Sequence, residues 1–159
     1  MEALIHHFKL FTEAVTLNRG RIDKFIGDGV MAIFDQNLDN TTNCRNALYA
    51  SSKIAGSLNV LNSELSDEDI DTLRIGIGIH TGTAILGKMG YGQASSETAI
   101  GDTVNVANRI CEGCKDVGAD VLISEEVMSR LSENLTSEKV VDFSVRGRSK
   151  KIKLHKIMV

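Results

Sequence analysis

Ile22-Asp23-Lys24-Phe25-Ile26-Gly27-Asp28-Gly29-Val30-Met31-Ala32-Ile33-Phe34 is the stretch that decides the fold class. Two β-prone runs flank a Gly-Asp-Gly turn, which is the pattern of a β-hairpin. Upstream, Leu4, Phe8, Phe11, Ala14 and Val15 recur at helical spacing as far as the stop at Asn18-Arg19-Gly20, so an amphipathic helix leads into the hairpin. Downstream, Ala47, Ala50, Ile54 and Leu58 share one face of a helix predicted over 41–61, and the polar segment 63–71 reads as a loop. Residues 73–79 alternate large apolar side chains with Gly76 and Gly78, and 84–86 is strand-like, so His80-Thr81-Gly82-Thr83 is expected to turn a second hairpin. Glycines inside such a strand predict that something packs close to its backbone. Residues 88–99, rich in Gly and Ser, read as a loop feeding a helix over 101–115 that Gly101 or Asp102 caps. A strand at 121–123, a short helix opening at Ser124-Glu125-Glu126, and a closing pair of strands at 140–145 and 151–157 complete the order. This succession predicts an α+β sandwich, with helices packed on a largely antiparallel sheet.

The 159 residues, 42% of them hydrophobic, suffice for one globular domain with a real core and leave no room for a second of ordinary size. The formal charge of -3 argues against a nucleic-acid partner, which calls for a basic stripe or domain. The basic run 146–156 is local, and reads either as a solvated strand edge or as a phosphate contact. No apolar run approaches the roughly 20 residues of a membrane helix, and the first residues lack the features of a signal peptide. Three cysteines, an odd and sparse set, suit a reducing compartment, so a cytoplasmic location is expected. Cys111 and Cys114 match C-x-x-C, but no second ligand pair stands at zinc spacing, and they read as ordinary helix cysteines.

Two places could carry chemistry. At the first, Asp28 sits between two glycines in a tight turn, held by backbone and sterically open, which would suit a Mg²⁺ ligand. On local sequence alone the readier explanation is that Asp-Gly is favoured turn chemistry. At the second, Asn105 and Arg109 are four apart and so share a helix face, where an amide and a guanidinium together offer planar donors to anionic oxygens. The alternative is a surface Arg and a helix Asn making local contacts.

Lys24-Phe25-Ile26-Gly27-Asp28, then Ile77-Gly78-Ile79-His80-Thr81-Gly82, then Ile100-Gly101-Asp102-Thr103-Val104-Asn105-Val106-Ala107-Asn108-Arg109 closely resemble the class III adenylate and guanylate cyclases, in order and in separation. The intervening Gly87-Lys88-Met89-Gly90-Tyr91-Gly92 resembles the bacterial members in particular, and the resemblance covers essentially the whole chain. It implies a ferredoxin-like sandwich and conversion of ATP to 3′,5′-cyclic AMP and pyrophosphate. It also implies Mg²⁺ or Mn²⁺ at Asp28, the second of two metal aspartates in the family. Lys24 and Thr98 match the pair that reads the purine, and a lysine donor with a threonine acceptor favours ATP over GTP. Asn105 matches the residue that orients the ribose, and Arg109 the one that stabilises charge on the transferring phosphoryl group. Arg146, in Val145-Arg146-Gly147-Arg148, stands where the family usually has a phosphate-contacting lysine. In the family the metal aspartates of one subunit face the purine, Asn and Arg positions of the other, so a homodimer is implied, with sensor or regulatory domains in the full-length protein.

The family's domain ordinarily begins with a strand bearing Phe-x-Asp, which holds the first metal aspartate and has no counterpart ahead of the first helix. Residues 1–159 are therefore read as one cyclase catalytic domain truncated at its N-terminal side by roughly 20 to 30 residues, by analogy of proportion. A cyclase-like domain that binds nucleotide or pairs with a partner without turnover is the alternative function, and an unrelated ferredoxin-like interaction domain is a third reading.

Overall fold

The computed structural model describes residues 2–36, 39–66, 73–92, 95–131, 135–143 and 151–158. In chain order the elements are α1 (Glu2–Leu17), β1 (Arg21–Ile26), β2 (Gly29–Ile33), α2 (Asn40–Ser66), β3 (Ile77–Ile79), β4 (Ile85–Met89), β5 (Ser96–Ile100), α3 (Asp102–Val117), β6 (Val121–Ser124), α4 (Glu125–Met128), β7 (Ser137–Phe143) and β8 (Ile152–Ile157). Strands β1 and β2 form a ribbon, β4 and β5 form another, and the remaining four make a sheet in the order β3-β6-β8-β7. Every pairing is antiparallel except β3 with β6. The expected α+β architecture is present.

The sheet is covered on both faces, and the sequence of β6 requires it. Val121, Leu122 and Ile123 are all fully buried, so no side of the strand meets water. Val121 and Ile123 join Ala47, Leu48 and Ala55 of α2, whereas Leu122 joins Val106, Ile110 and Cys114 of α3 with Ile152 and Leu154 of β8. Period two in the strand thus meets two helical stripes. The buried positions of α3, Val106, Ile110, Gly113 and Cys114, follow helical spacing and leave Asn105, Asn108 and Arg109 exposed. Aspartate 39 caps α2, accepting the Thr42 amide at 3.0 Å and its hydroxyl at 2.8 Å, and these bonds hold the carboxyl below its ordinary pKa.

The glycines of β3 behave as the sequence predicts. A Cβ on Gly78 would lie 2.3 Å from the Cys111 amide nitrogen and 2.7 Å from the Ala107 carbonyl oxygen, so α3 rests on bare strand backbone.

Four expectations are corrected. The strand over 73–79 shrinks to Ile77–Ile79, and α2 extends to Ser66. Strand β3 does not turn back on 84–86, because its partner is β6, in parallel. Residues 88–99 are not one loop: β4 pairs with β5 in the register Ile85↔Ile100 to Met89↔Ser96. Polar composition hid β5, where burial of Thr98 and Ala99 against β1 outweighs weak strand propensity.

Among the described residues, β2 has no strand partner besides β1, and β3 none besides β6. No helix among them is long and apolar enough to cross a membrane.

Candidate active site

A β-bulge builds the first half of the site. Pairing runs from Arg21↔Ile33 and Ile22↔Ala32 to Lys24↔Met31, so β1 carries one residue more than β2 at Asp23. In a regular strand neighbours point to opposite faces, but a bulge lets two consecutive side chains aim together. Asp23 is fully buried at its side chain, and Lys24 Nζ lies 3.6 Å from its Oδ2.

That carboxylate gathers the surrounding polar groups. Thr98 of β5 donates its hydroxyl to Asp23 Oδ2 at 2.5 Å, and the Ala99 amide donates to Oδ1 at 3.4 Å. Arg21 Nη1 stands 3.8 Å from Oδ1, while the rest of that guanidinium bonds Asp35, which raises the arginine's pKa. A buried carboxylate flanked by two cations and two neutral donors has its charge compensated, and so can stay in the interior. The structure thus brings Lys24 and Thr98 together, although 74 positions separate them, through a residue that sequence reasoning passed over. The missed signal was an acidic residue inside a strand, between Arg21 and Lys24.

Asp28 is exposed in the two-residue turn Gly27-Asp28. Gly27 adopts φ +62°, a left-handed conformation that glycine takes without strain, and a Cβ there would meet nothing within 4 Å. The space around the carboxylate is open. Among the described residues no three His, Cys, Asp or Glu side chains converge. A Mg²⁺ ion held by one carboxylate and completed by phosphate oxygens and water fits this donor set.

The second half of the site lies on α3. Asn105 and Arg109 are exposed on one face, and Arg109 Nη1 donates to Glu112 Oε2 at 2.8 Å, with Asn108 Nδ2 on the other carboxylate oxygen at 3.0 Å. The start of the helix is pinned by Thr103, whose hydroxyl donates to the Thr83 carbonyl at 2.6 Å, in space that a Cβ on Gly82 would fill. Arg146 lies outside the described residues.

The cysteines are spent on structure. Cys111 and Cys114 direct their thiols at the carbonyls of Gly76 and Ile77, at 3.1 Å and 3.5 Å. Burial first, then the neighbouring Cys111, pushes the Cys114 thiol up to about 12, and burial also raises Cys111 and Cys44. Thiols whose pKa is raised by burial are poor nucleophiles.

Comparison with known proteins places the chain in a family. An adenylate cyclase of Anabaena cylindrica is 40% identical over 82% of this chain, and adenylate cyclase 1 of Rhizobium meliloti is 31% identical over 98% of it. The chain spans 26% and 23% of the lengths of those two relatives. The crystal structure of the adenylyl cyclase CyaB from P. aeruginosa superposes with a TM-score of 0.85 at 22% identity, covering 99% of this chain and 81% of that one, and so shares the fold. The family model described as the adenylate and guanylate cyclase catalytic domain matches residues 1–158. With the fold, the motif order and this match in agreement, the chain belongs to the adenylate and guanylate cyclase catalytic domain family.

Proposed function

We propose that the chain is the catalytic domain of an adenylate cyclase, which converts ATP to 3′,5′-cyclic AMP and pyrophosphate at the interface of a homodimer. The observation that carries this reading is the meeting of Lys24 and Thr98 on Asp23. Lysine and threonine side by side match the edge of adenine: the ammonium donates to N1, and the hydroxyl oxygen accepts from the 6-amino group. Guanine presents an N–H and a carbonyl at those places, and meets like against like.

A divalent cation, Mg²⁺ or Mn²⁺, held by Asp28 and the nucleotide's phosphates would supply charge neutralisation at the 3′-oxygen and the leaving pyrophosphate. Asn105 orients the ribose so that its 3′-oxygen lines up with the α-phosphorus. Arg109 donates to the phosphoryl oxygens as charge develops on them. Its bond to Glu112 is an exposed pair of the kind worth about 0 to 1 kcal/mol, so a triphosphate displaces it at little cost. Arg146 supplies a further phosphate contact.

Dimerisation is supported by apolar surface. Phe25 and Ile26 at the end of β1, with Ile85, Leu86, Met89 and Ile100 of the neighbouring ribbon, are exposed, and β1 packs on β5. Such a patch is what a protein–protein interface uses. Among the described residues β2 and β3 each keep an unpaired edge, which supports the reading of 1–159 as one catalytic domain completed by a further strand. The short span relative to the curated relatives supports sensor or regulatory domains in a longer protein, and ATP as substrate with thiols kept reduced supports the cytoplasm.

Complementation tests the shared site. In a longer, catalytically active form, Asp28→Ala and Arg109→Ala should each lower cyclic AMP formation by roughly 100-fold or more. A heterodimer of the two has one site with both defects and one with neither, so an equal mixture should regain roughly a quarter of native activity by symmetry counting. A mixture as inactive as its parents, with heterodimers confirmed by size measurement, refutes the shared site.

A further inference from the structure

We propose that Asp23 is the positioning residue of the purine-reading pair, and that it sets ATP selectivity by taking the only proton of the Thr98 hydroxyl. The inference rests on the base-reading role proposed above for Lys24 and Thr98. It adds a residue to which no role in the reaction attaches through the motif resemblance.

The argument is one of donor and acceptor counting. A threonine hydroxyl has one proton and two lone pairs, and alone it rotates to suit either a donor or an acceptor. A free Thr98 would therefore meet the 6-amino group of adenine and the 6-carbonyl of a guanine-type base about equally well. Asp23 removes that choice. Asp23 is flanked by the Arg21 guanidinium and the Lys24 ammonium, two cations that pair with a carboxylate, and a carboxylate only accepts. The Thr98 proton therefore points at Oδ2, 2.5 Å away, and the oxygen can present only a lone pair to a ligand. Charge-assisted bonds of this kind are short and strong, so the orientation holds while a base enters. The same Oδ2 lies 3.6 Å from Lys24 Nζ. One oxygen thus anchors the outward-facing donor and fixes the polarity of the acceptor beside it. The side chain is fully buried, so water does not compete for it. Its place at the bulge explains how it reaches both partners.

The test compares ATP with inosine triphosphate, which carries a carbonyl and an N1 proton where ATP carries the amine and a bare N1, by kcat/KM and by displacement of a bound fluorescent ATP analogue. The change in the ratio on substitution at Asp23 or Thr98, with Lys24 kept, isolates the contact at position 6. Asp23→Asn keeps the shape but lets an amide donate to Thr98, which frees the threonine proton to turn toward the base. The ATP-to-inosine-triphosphate ratio should fall about tenfold, the scale of one well-made hydrogen bond. A purely structural role would weaken both nucleotides equally and leave the ratio unchanged. Thr98→Val should lower the ratio as well, and adding Asp23→Asn to it should change the ratio no further. Loss of selectivity in Thr98→Val with native selectivity in Asp23→Asn overturns the proposal for Asp23 alone. Native selectivity in Thr98→Val overturns the base reading by Thr98, and the proposal with it. Thr98→Asn leaves Asp23 intact and covers the case in which Asp23→Asn does not fold. There the amide donates to Asp23 and turns its carbonyl outward, so ATP preference should persist. An amide that accepts both nucleotides equally refutes the polarity argument.

Discussion

Replacing Gly78 by alanine should be among the costliest single-methyl additions in the molecule. The new Cβ would sit 2.3 Å from the Cys111 nitrogen, 2.7 Å from the Ala107 oxygen and 2.8 Å from the Cys111 Cα, all backbone atoms of α3 that no rotamer change can move. Reaching an ordinary contact of 3.4 Å requires about 1 Å of separation between strand and helix. That shift lifts Val106, Ile110 and Cys114, each nearly fully buried, away from Leu122, Ile152 and Leu154. Overpacking of this kind costs about 3 kcal/mol, near the upper end of its usual range. For a chain of this size the melting temperature should fall by about 6 to 12 °C. Equilibrium urea unfolding followed by circular dichroism measures the loss. Gly56→Ala is the comparator: a Cβ there meets nothing within 4 Å inside α2, so the same assay should show a gain of about 0.5 to 1 kcal/mol. A Gly78→Ala protein within about 0.5 kcal/mol of the native one would refute the claim that α3 is seated on strand backbone.

The buried thiol gives stability a dependence on alkaline pH. Because the Cys114 thiol rises from 9.0 to about 12 in the folded chain, the folded state holds that proton more tightly than the unfolded one. Its contribution is complete below pH 9.0 and is lost as pH rises toward about 12. Urea midpoints across that window should fall more steeply for the native protein than for Cys114→Ala, and parallel slopes would contradict this. In a longer, active form, Lys24→Glu with Thr98→Cys exchanges the donor at 24 for an acceptor and the acceptor at 98 for a thiol donor, and should raise the GTP-to-ATP ratio of kcat/KM by about tenfold or more. An unchanged ratio would mean that these positions do not face the purine.

The hairpin was legible because its information is local: a Gly-Asp-Gly turn, two apolar runs and a helix stop lie within a few residues of one another. The seat of α3 was legible for a related reason, since Gly76 and Gly78 alternate with isoleucines that must face a core. Strand β5 was not, because Ser96-Glu97-Thr98-Ala99-Ile100 becomes a strand only through pairing with β4 and packing on β1. Of the site residues, Asp28, Asn105 and Arg109 stand out by turn position and helical spacing, and Thr98 is found only through the family resemblance. Asp23 escaped because its burial depends on a bulge, and a bulge is set by the partner strand rather than by the residue's own neighbours.

The bulge also divides β1 into two segments of opposite phase. Ahead of it, Arg21 shares a side with Asp23; beyond it, Lys24 joins that same side, and Phe25 turns away to stack on Phe8 of α1, with ring centroids 4.7 Å apart. Deleting Asp23 would restore a single alternation along the strand, with Lys24 still on the side of Arg21 and Phe25 still turned away. The ammonium would keep its place, but the carboxylate that holds it beside the Thr98 hydroxyl would be gone. Length at this point is therefore as much a determinant of chemistry as residue identity: a one-residue gap between Ile22 and Lys24 separates chains whose base-facing pair is anchored to one oxygen from chains in which each member stands alone.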